Sequence, residues 1–259
     1  MLTIAHATAL SSEDTRPFEH SVALAHRSGA TLCSVHAGSE PPNLMPEATD
    51  LLKRWHIADE VRHQRMSHTC CDDPVDTVLD ALKKLSPDLV VCATHQRSGV
   101  FRIFMDSRAE SLANNLRMPT LLFRIGAPGF VSSDTGAVDL HRMVIPVGDA
   151  EAARAAVDKA VWLGEMAKSP RLEMILLHVG EGAAPRVDVP IHEGWTARAV
   201  QADGDLEAVI AAYGAEDHGG TVVVMATRGH DSVGDVLVGS HTERVLRIAK
   251  CPVLMVPLA

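Results

Sequence analysis

The residues whose types and spacing most suggest chemistry lie in Ala226–Val245, ATRGHDSVGDVLVGSHTERV. Ala226-Thr227-Arg228-Gly229 directly follows the β-rich run TVVVM, so Gly229 lies just beyond the carboxyl end of a strand. A glycine there can take a positive φ and lets a ligand approach the backbone. After nine intervening residues, Gly239-Ser240 opens a helical stretch, where free N–H groups and the helix dipole favour an anion. Ser240 and Thr242 add hydroxyl donors, and Arg228 and His230 add positive or polar groups. A phosphate-bearing nucleotide is the species that suits this set. A competing reading stays open, because Ser240-x-x-Glu243 is also a capping box, which needs no ligand. Neither GxxxxGK[ST] nor GxGxxG occurs, which excludes a P-loop NTPase and counts against a dinucleotide site.

The elements that must position these residues occur twice. Leu89 to Phe123 aligns with Val222 to Val256 without a gap at an offset of 133 residues. Val91-Cys92-Ala93-Thr94 meets Val224-Met225-Ala226-Thr227, Ser107 meets Ser240 and Glu110 meets Glu243. Upstream, SVHAG at Ser34 matches LLHVG at Leu176, and LTIAHA at the start matches MVIPVG at Met143. The chain therefore reads as a tandem duplication: an N-terminal unit at 1–125, a Gly/Ser/Asp-rich linker at 126–141 and a C-terminal unit at 142–259.

Within the second unit, strands are expected at Met143–Val147, Leu172–Val179, Thr196–Gln201, Thr221–Met225 and Val253–Val256. Helices are expected at Ala150–Lys168, Asp205–Tyr213 and Glu243–Ala249. Such alternation predicts a doubly wound parallel sheet covered on both faces by helices, an α/β domain present twice. Ligands of such sheets sit beyond the strands' carboxyl ends, where strand order reverses.

With these residues in view, the chain resembles a tandem universal stress protein of the UspA-like superfamily, with the adenine-nucleotide α-hydrolase-like fold, and does so over nearly its whole length. The ATP-binding members carry G-x2-G-x9-G-[ST], and here the second half reads Ala226-x2-Gly229-x9-Gly239-Ser240. The resemblance implies an adenosine site near Pro146, Val147 and Val179, with backbone contacts along Met225 and Ala226. It implies phosphate contacts at Arg228, Gly229, Gly239, Ser240 and Thr242, with ATP or another adenine nucleotide as ligand; His230, by its own chemistry, is a further candidate beside the phosphates, and Mg2+ a candidate companion ion. ATP-binding members usually have an Asp after the first strand, where this chain has Gly148 followed by Asp149, a candidate substitute. In the first half the frame reads Ala93-x2-Gln96-x9-Asp106-Ser107, and the acidic position falls near Ala7. Gln96 would crowd the loop and Asp106 would repel phosphate, so this half is expected not to bind ATP. Its last strand, Thr120–Phe123, is expected to pair with Val253–Val256, covering two open edges and making a pseudo-dimer of one chain.

The histidines and cysteines offer a separate chemistry. His63, His68, Cys70 and Cys71 are of the types that hold Zn2+, although a strand through this region would point His63 and His68 to opposite faces. Vicinal Cys70-Cys71 is also a candidate redox pair, whereas Cys92 and Cys251 read as core thiols. His36 and His178 occupy equivalent places and read as structural or cleft-bordering. No nucleophile–base pair suggests an enzyme, and hydrolysis would be slow at most.

Composition bounds the partners. A net charge of −9 repels nucleic acid, and three Trp, one Tyr and five Phe are too few for base-stacking platforms. No apolar run approaches the roughly 20 residues of a membrane span, and no basic residue precedes the first apolar stretch as in a signal peptide. The expectation is a cytoplasmic protein that binds adenine nucleotide in its C-terminal half in a regulatory, stress-response role. Two alternatives stay open: a non-nucleotide scaffold acting through protein contacts, and a metal or thiol sensor in the first half. Homodimer formation is a further possibility.

Overall fold

Runs of consecutive apolar and β-branched residues form the central strands. In chain order the elements are β1 (Thr3–Ala7), α1 (Thr15–Ser28), β2 (Thr31–Gly38), α2 (Ala48–Arg54), β3 (His63–Thr69), α3 (Pro74–Leu85), β4 (Leu89–Thr94) and β5 (Thr120–Arg124). They continue as β6 (Arg142–Pro146), α4 (Ala150–Ala167), β7 (Leu172–Val179), β8 (Trp195–Ala202), α5 (Leu206–Ala215), β9 (Thr221–Thr227), α6 (His241–Ile248) and β10 (Val253–Pro257). The structure is a computed structural model that describes residues 1–69, 74–94, 118–216, 219–227 and 241–258. No helix among the described residues is long and apolar enough to cross a membrane.

All ten strands join one sheet in the order β3-β2-β1-β4-β5-β10-β9-β6-β7-β8. Neighbours run parallel within each set of five, and only β5 and β10, at the seam, run antiparallel. The seam pairs Val253 with Leu122, Leu254 with Leu121 and Met255 with Thr120. Two doubly wound sheets thus share a closed edge, as the duplicated sequence predicts. β4 (LVVCAT) is buried along its whole length, as the centre of a parallel sheet covered on both faces requires. Polar residues concentrate instead in the outermost strands, β3 (HQRMSHT) and β8 (WTARAVQA).

One face of the sheet packs against α1, α2 and α4, and the other against α3, α5 and α6. Each of the two apolar clusters draws residues from both halves: Ile4, Phe18 and Leu89 join Met143, Val157 and Leu254 on the first face. α1 also contacts α4 directly, and Arg27 closes the α4 C-terminus by donating to the carbonyls of Ala167 at 3.1 Å and Lys168 at 3.0 Å.

The 126–141 segment is packed, despite its polar composition. Phe130, Val131 and Leu140 are buried, and Val131 and Val138 form an isolated bridge. His20 of α1 fixes the turn: its Nδ1–H donates to Arg16 O at 2.8 Å, and its Nε2 accepts from Phe130 N at 2.9 Å and Val131 N at 3.1 Å. Trp55 Nε1–H donates to Ser133 O at 2.8 Å. Ala127 is buried too, and both halves supply polar partners, the second through Gly220, whose carbonyl accepts from His141 N at 3.0 Å.

Candidate functional site

In each half the chain builds outward from a central strand on one side, then returns to build on the other. The reversal falls between β1 and β4 in the first half and between β6 and β9 in the second. Helices diverging from such a point leave a crevice beyond the strands' carboxyl ends.

In the second half, the ladder Arg142–Thr221, Met143–Val222, Val144–Val223 sets β6 beside β9 and brings Pro146 and Met225 to the same end of the sheet. β10 flanks β9 on the far side, with Met255 against Met225 and Val256 against Ala226. Val147 and Met225 are buried, while Pro146, Val179 and Ala226 are partly exposed. The chain leaves β6 under two constraints: Val147 N donates to Leu177 O at 2.9 Å, and Val147 O accepts from His178 Nδ1–H at 2.9 Å. A carbonyl only accepts, so the His178 proton sits on Nδ1 and Nε2 is an acceptor. That Nε2 is buried and has no hydrogen-bond partner among the described residues. At the next residue in the chain after Val147, a Cβ added at Gly148 would meet nothing within 4 Å, so the space over this residue is open.

Asp149 has a defined task. Its Oδ1 accepts from Glu151 N at 3.0 Å and Ala152 N at 2.9 Å, capping α4 and opposing the positive end of its dipole. Arg228, Gly229, His230, Gly239 and Ser240 lie outside the described residues. Thr242 sits in the first turn of α6 and is buried. α6 is held to α5 by Glu207, which accepts from His241 Nδ1–H at 2.7 Å and Arg244 Nε–H at 2.6 Å. The hydrogen bond from His241, backed by Arg244, pulls the Glu207 carboxyl down to about 2. Sequence reasoning missed this anchor, because Glu207 and His241 are far apart in the chain and neither belongs to a motif.

The first half reproduces the crevice's backbone but not its lining. Thr8 N donates to Val35 O at 3.0 Å, and His36 Nδ1–H donates to Thr8 O at 3.0 Å. These two bonds make Thr8 the counterpart of Val147, and therefore Ala9, not Ala7, the counterpart of Gly148. Ala7 is still inside β1, paired with Val35. A different carboxylate occupies this turn: Asp14 Oδ2 accepts from Thr8 Oγ1–H, Ala9 N and Ser11 N, each at 3.0 Å. The spacing Ser11-x-x-Asp14 is a capping signal in the sequence, and the structure has that box. Gln96 and Asp106 lie outside the described residues.

His63 and His68 point to opposite faces of β3, as expected of a strand. His63 Nδ1 accepts from Ala48 N at 3.2 Å and its Nε2–H donates to Ser34 Oγ at 2.9 Å, so both nitrogens are occupied. Burial lowers its pKa. Cys70 and Cys71 lie outside the described residues, among which no group of three or more His, Cys, Asp or Glu could hold a metal ion. Cys92 and Cys251 are core thiols, Cys251 pushed up to about 12 and Cys92 also raised, in both mainly by burial.

Comparison with known proteins follows the same lines. Residues 1–124 and 192–257 match the Universal stress protein family. No curated protein matches the chain by sequence. Among solved structures, a universal stress protein from Archaeoglobus fulgidus DSM 4304 is similar over 98% of this chain and 96% of its own, at 16% identity and a TM-score of 0.66. A functionally unknown protein from Pseudomonas aeruginosa PAO1 is similar over 98% of this chain and 92% of its own, at 12% identity and a TM-score of 0.63. At these identities the likeness is one of fold.

Proposed function

Because the chain belongs to the universal stress protein family, we propose that it binds ATP or another adenine nucleotide in its C-terminal half, in a regulatory stress-response role. The observation that carries the reading is the second crevice, which opens between β6 and β9 directly before the Gly229-x9-Gly239-Ser240 frame. The base and ribose would lie over Pro146, Val147 and Val179, against the backbone of Met225 and Ala226. Phosphates, with Mg2+, would meet Arg228, Gly229, His230, Gly239, Ser240 and Thr242. The buried His178 Nε2 offers an acceptor to an exocyclic amino group. Asp149 contributes through the α4 cap it already makes, and Gly148 leaves room without supplying a carboxylate. The first half, with Ala9 in the acidic position and Asp106 in the phosphate frame, takes no nucleotide.

The test is to release and identify any co-purified small molecule by mass spectrometry, then titrate the stripped protein with ATP. One equivalent per chain is expected. Gly239→Asp, which copies Asp106, should remove binding and leave the circular dichroism spectrum unchanged. Two equivalents would put a working site in the first half. Absence of binding at millimolar ATP would favour a scaffold that works through protein contacts, a reading that the missing carboxylate at Gly148 also favours.

A further inference from the structure

β3 is an outermost strand, and polar side chains on one of its faces hold the chain that leads into α2. His63 and Arg65 stand two residues apart and so share that face. Ala48 N, at the start of α2, donates to His63 Nδ1 at 3.2 Å. Arg65 Nη1–H donates to Met45 O at 3.2 Å, and Arg65 Nη2 pairs with Glu47 Oε1 at 2.5 Å. The segment held in this way supplies Leu44, Pro46 and Glu47 to the wall of a cavity of about 530 Å3 beside α1. At the other end of α2, Trp55 Nε1–H holds the connector at Ser133 O.

The bond from Ala48 exists only while the His63 ring is neutral. A ring nitrogen accepts an N–H only if it carries no proton, so the His63 proton sits on Nε2, where it donates to Ser34 Oγ at 2.9 Å. A second proton has only Nδ1 to go to, and there it would meet the Ala48 N–H. Another acceptor stands near: Glu47 Oε2 lies 3.7 Å from Nδ1, beyond hydrogen-bond range, on the residue before Ala48. The His63 side chain is only 4% exposed, so water does not solvate a charge on it. Arg65 on β3 opposes that charge and Glu47 favours it. His6 on β1 faces the ring across Ser34, α1 presents the uncharged Phe18 at 5.9 Å between ring centroids, and Asp50 and Lys53 of α2 are exposed. Burial, the largest of these effects, holds the seated ring below the 6.5 of an ordinary imidazole. The released ring therefore takes the proton first, and acid favours release.

We propose that His63 is a pH-sensitive latch: neutral, it seats residues 45–48 on β3, and protonated, it exchanges Ala48 for Glu47 and frees the first turn of α2. The exchange also draws Glu47 away from Arg65, so two of the three contacts are lost together and that wall of the cavity opens.

Hydrogen exchange of the full chain, followed by mass spectrometry from about pH 7.5 to about pH 5 and corrected for the intrinsic rate, reads the latch directly. Protection across residues 44–55 should fall by about tenfold or more on the acid side, while α4 keeps its protection. His6 and His20, held near 4 and 3, stay neutral over this range. His63→Gln cannot take the proton and should make the segment's protection independent of pH. Glu47→Gln, at a partly exposed position, removes the charge that attracts the proton and should move the midpoint to lower pH. Equal protection at both ends of the range, the same acid response in His63→Gln, or an unmoved midpoint in Glu47→Gln would each overturn the latch.

Discussion

At the residue scale, the second crevice is defined as much by an absence as by a contact. Gly148 has open space around a virtual Cβ and does not require a left-handed backbone, so a side chain fits there. Gly148→Asp should therefore fold normally and, by restoring the carboxylate that ATP-binding relatives place there, tighten ATP by about tenfold, ~1.4 kcal/mol. Calorimetry on the variant checks this, and weaker binding would mean that no ribose or base donor lies near. A different residue sets the acid stability. Burial lowers His20 from 6.5 to about 3 and His6 from 6.5 to about 4. The unfolded chain protonates these rings at higher pH than the folded chain does. The unfolded state therefore binds the extra protons, and stability falls as pH drops from about 6.5 through those values. His20→Gln removes one such group and should flatten that slope by about 1.4 kcal/mol per pH unit, as read by urea unfolding at several pH values.

Between the helices, the decisive contact is Glu207, which ties α6 to α5 through His241 and Arg244. Because the folded pKa of this carboxyl is depressed to about 2, its contribution is present above the ordinary carboxylate value and is lost as pH falls towards 2. α6 carries Thr242, so Glu207→Ala should loosen the helix and weaken ATP by several-fold. Hydrogen exchange in α6 should quicken at the same time. Unchanged exchange with unchanged affinity would separate α6 from the proposed site. The same scale explains the strength of the seam: β5 and β10 would each leave an unpaired, largely apolar edge if the halves parted.

Over the whole molecule, the two halves share one sheet, two apolar clusters and a packed connector. A duplicated chain joined by a loose linker would melt in two steps. Here Leu121 and Leu254, both fully buried, lie on opposite sides of the seam, so unfolding either half exposes the core of the other. Differential scanning calorimetry should give a single transition with matching calorimetric and van't Hoff enthalpies. Two resolved transitions would mean independent halves.

The sequence by itself determined the repeat and the order of strands and helices, which follow from local periodicity and from the apolar runs that each segment carries within itself. The pairing of Thr120–Phe123 with Val253–Val256 came from the family resemblance, and the structure has it. The sequence also pointed to the crevice, because the right-handed connections of a doubly wound sheet leave little choice of where strand order reverses. Tertiary structure alone decided what the polar side chains do. His20 finds its partners in Phe130 and Val131, more than a hundred residues away, and turns an expected linker into core. Asp149 is drawn into a helix cap, His63 into bonds with Ala48 and Ser34, and Asp14 into the turn after β1. A polar group's partner depends on which segments the fold brings within about 3 Å, and no local pattern records that choice.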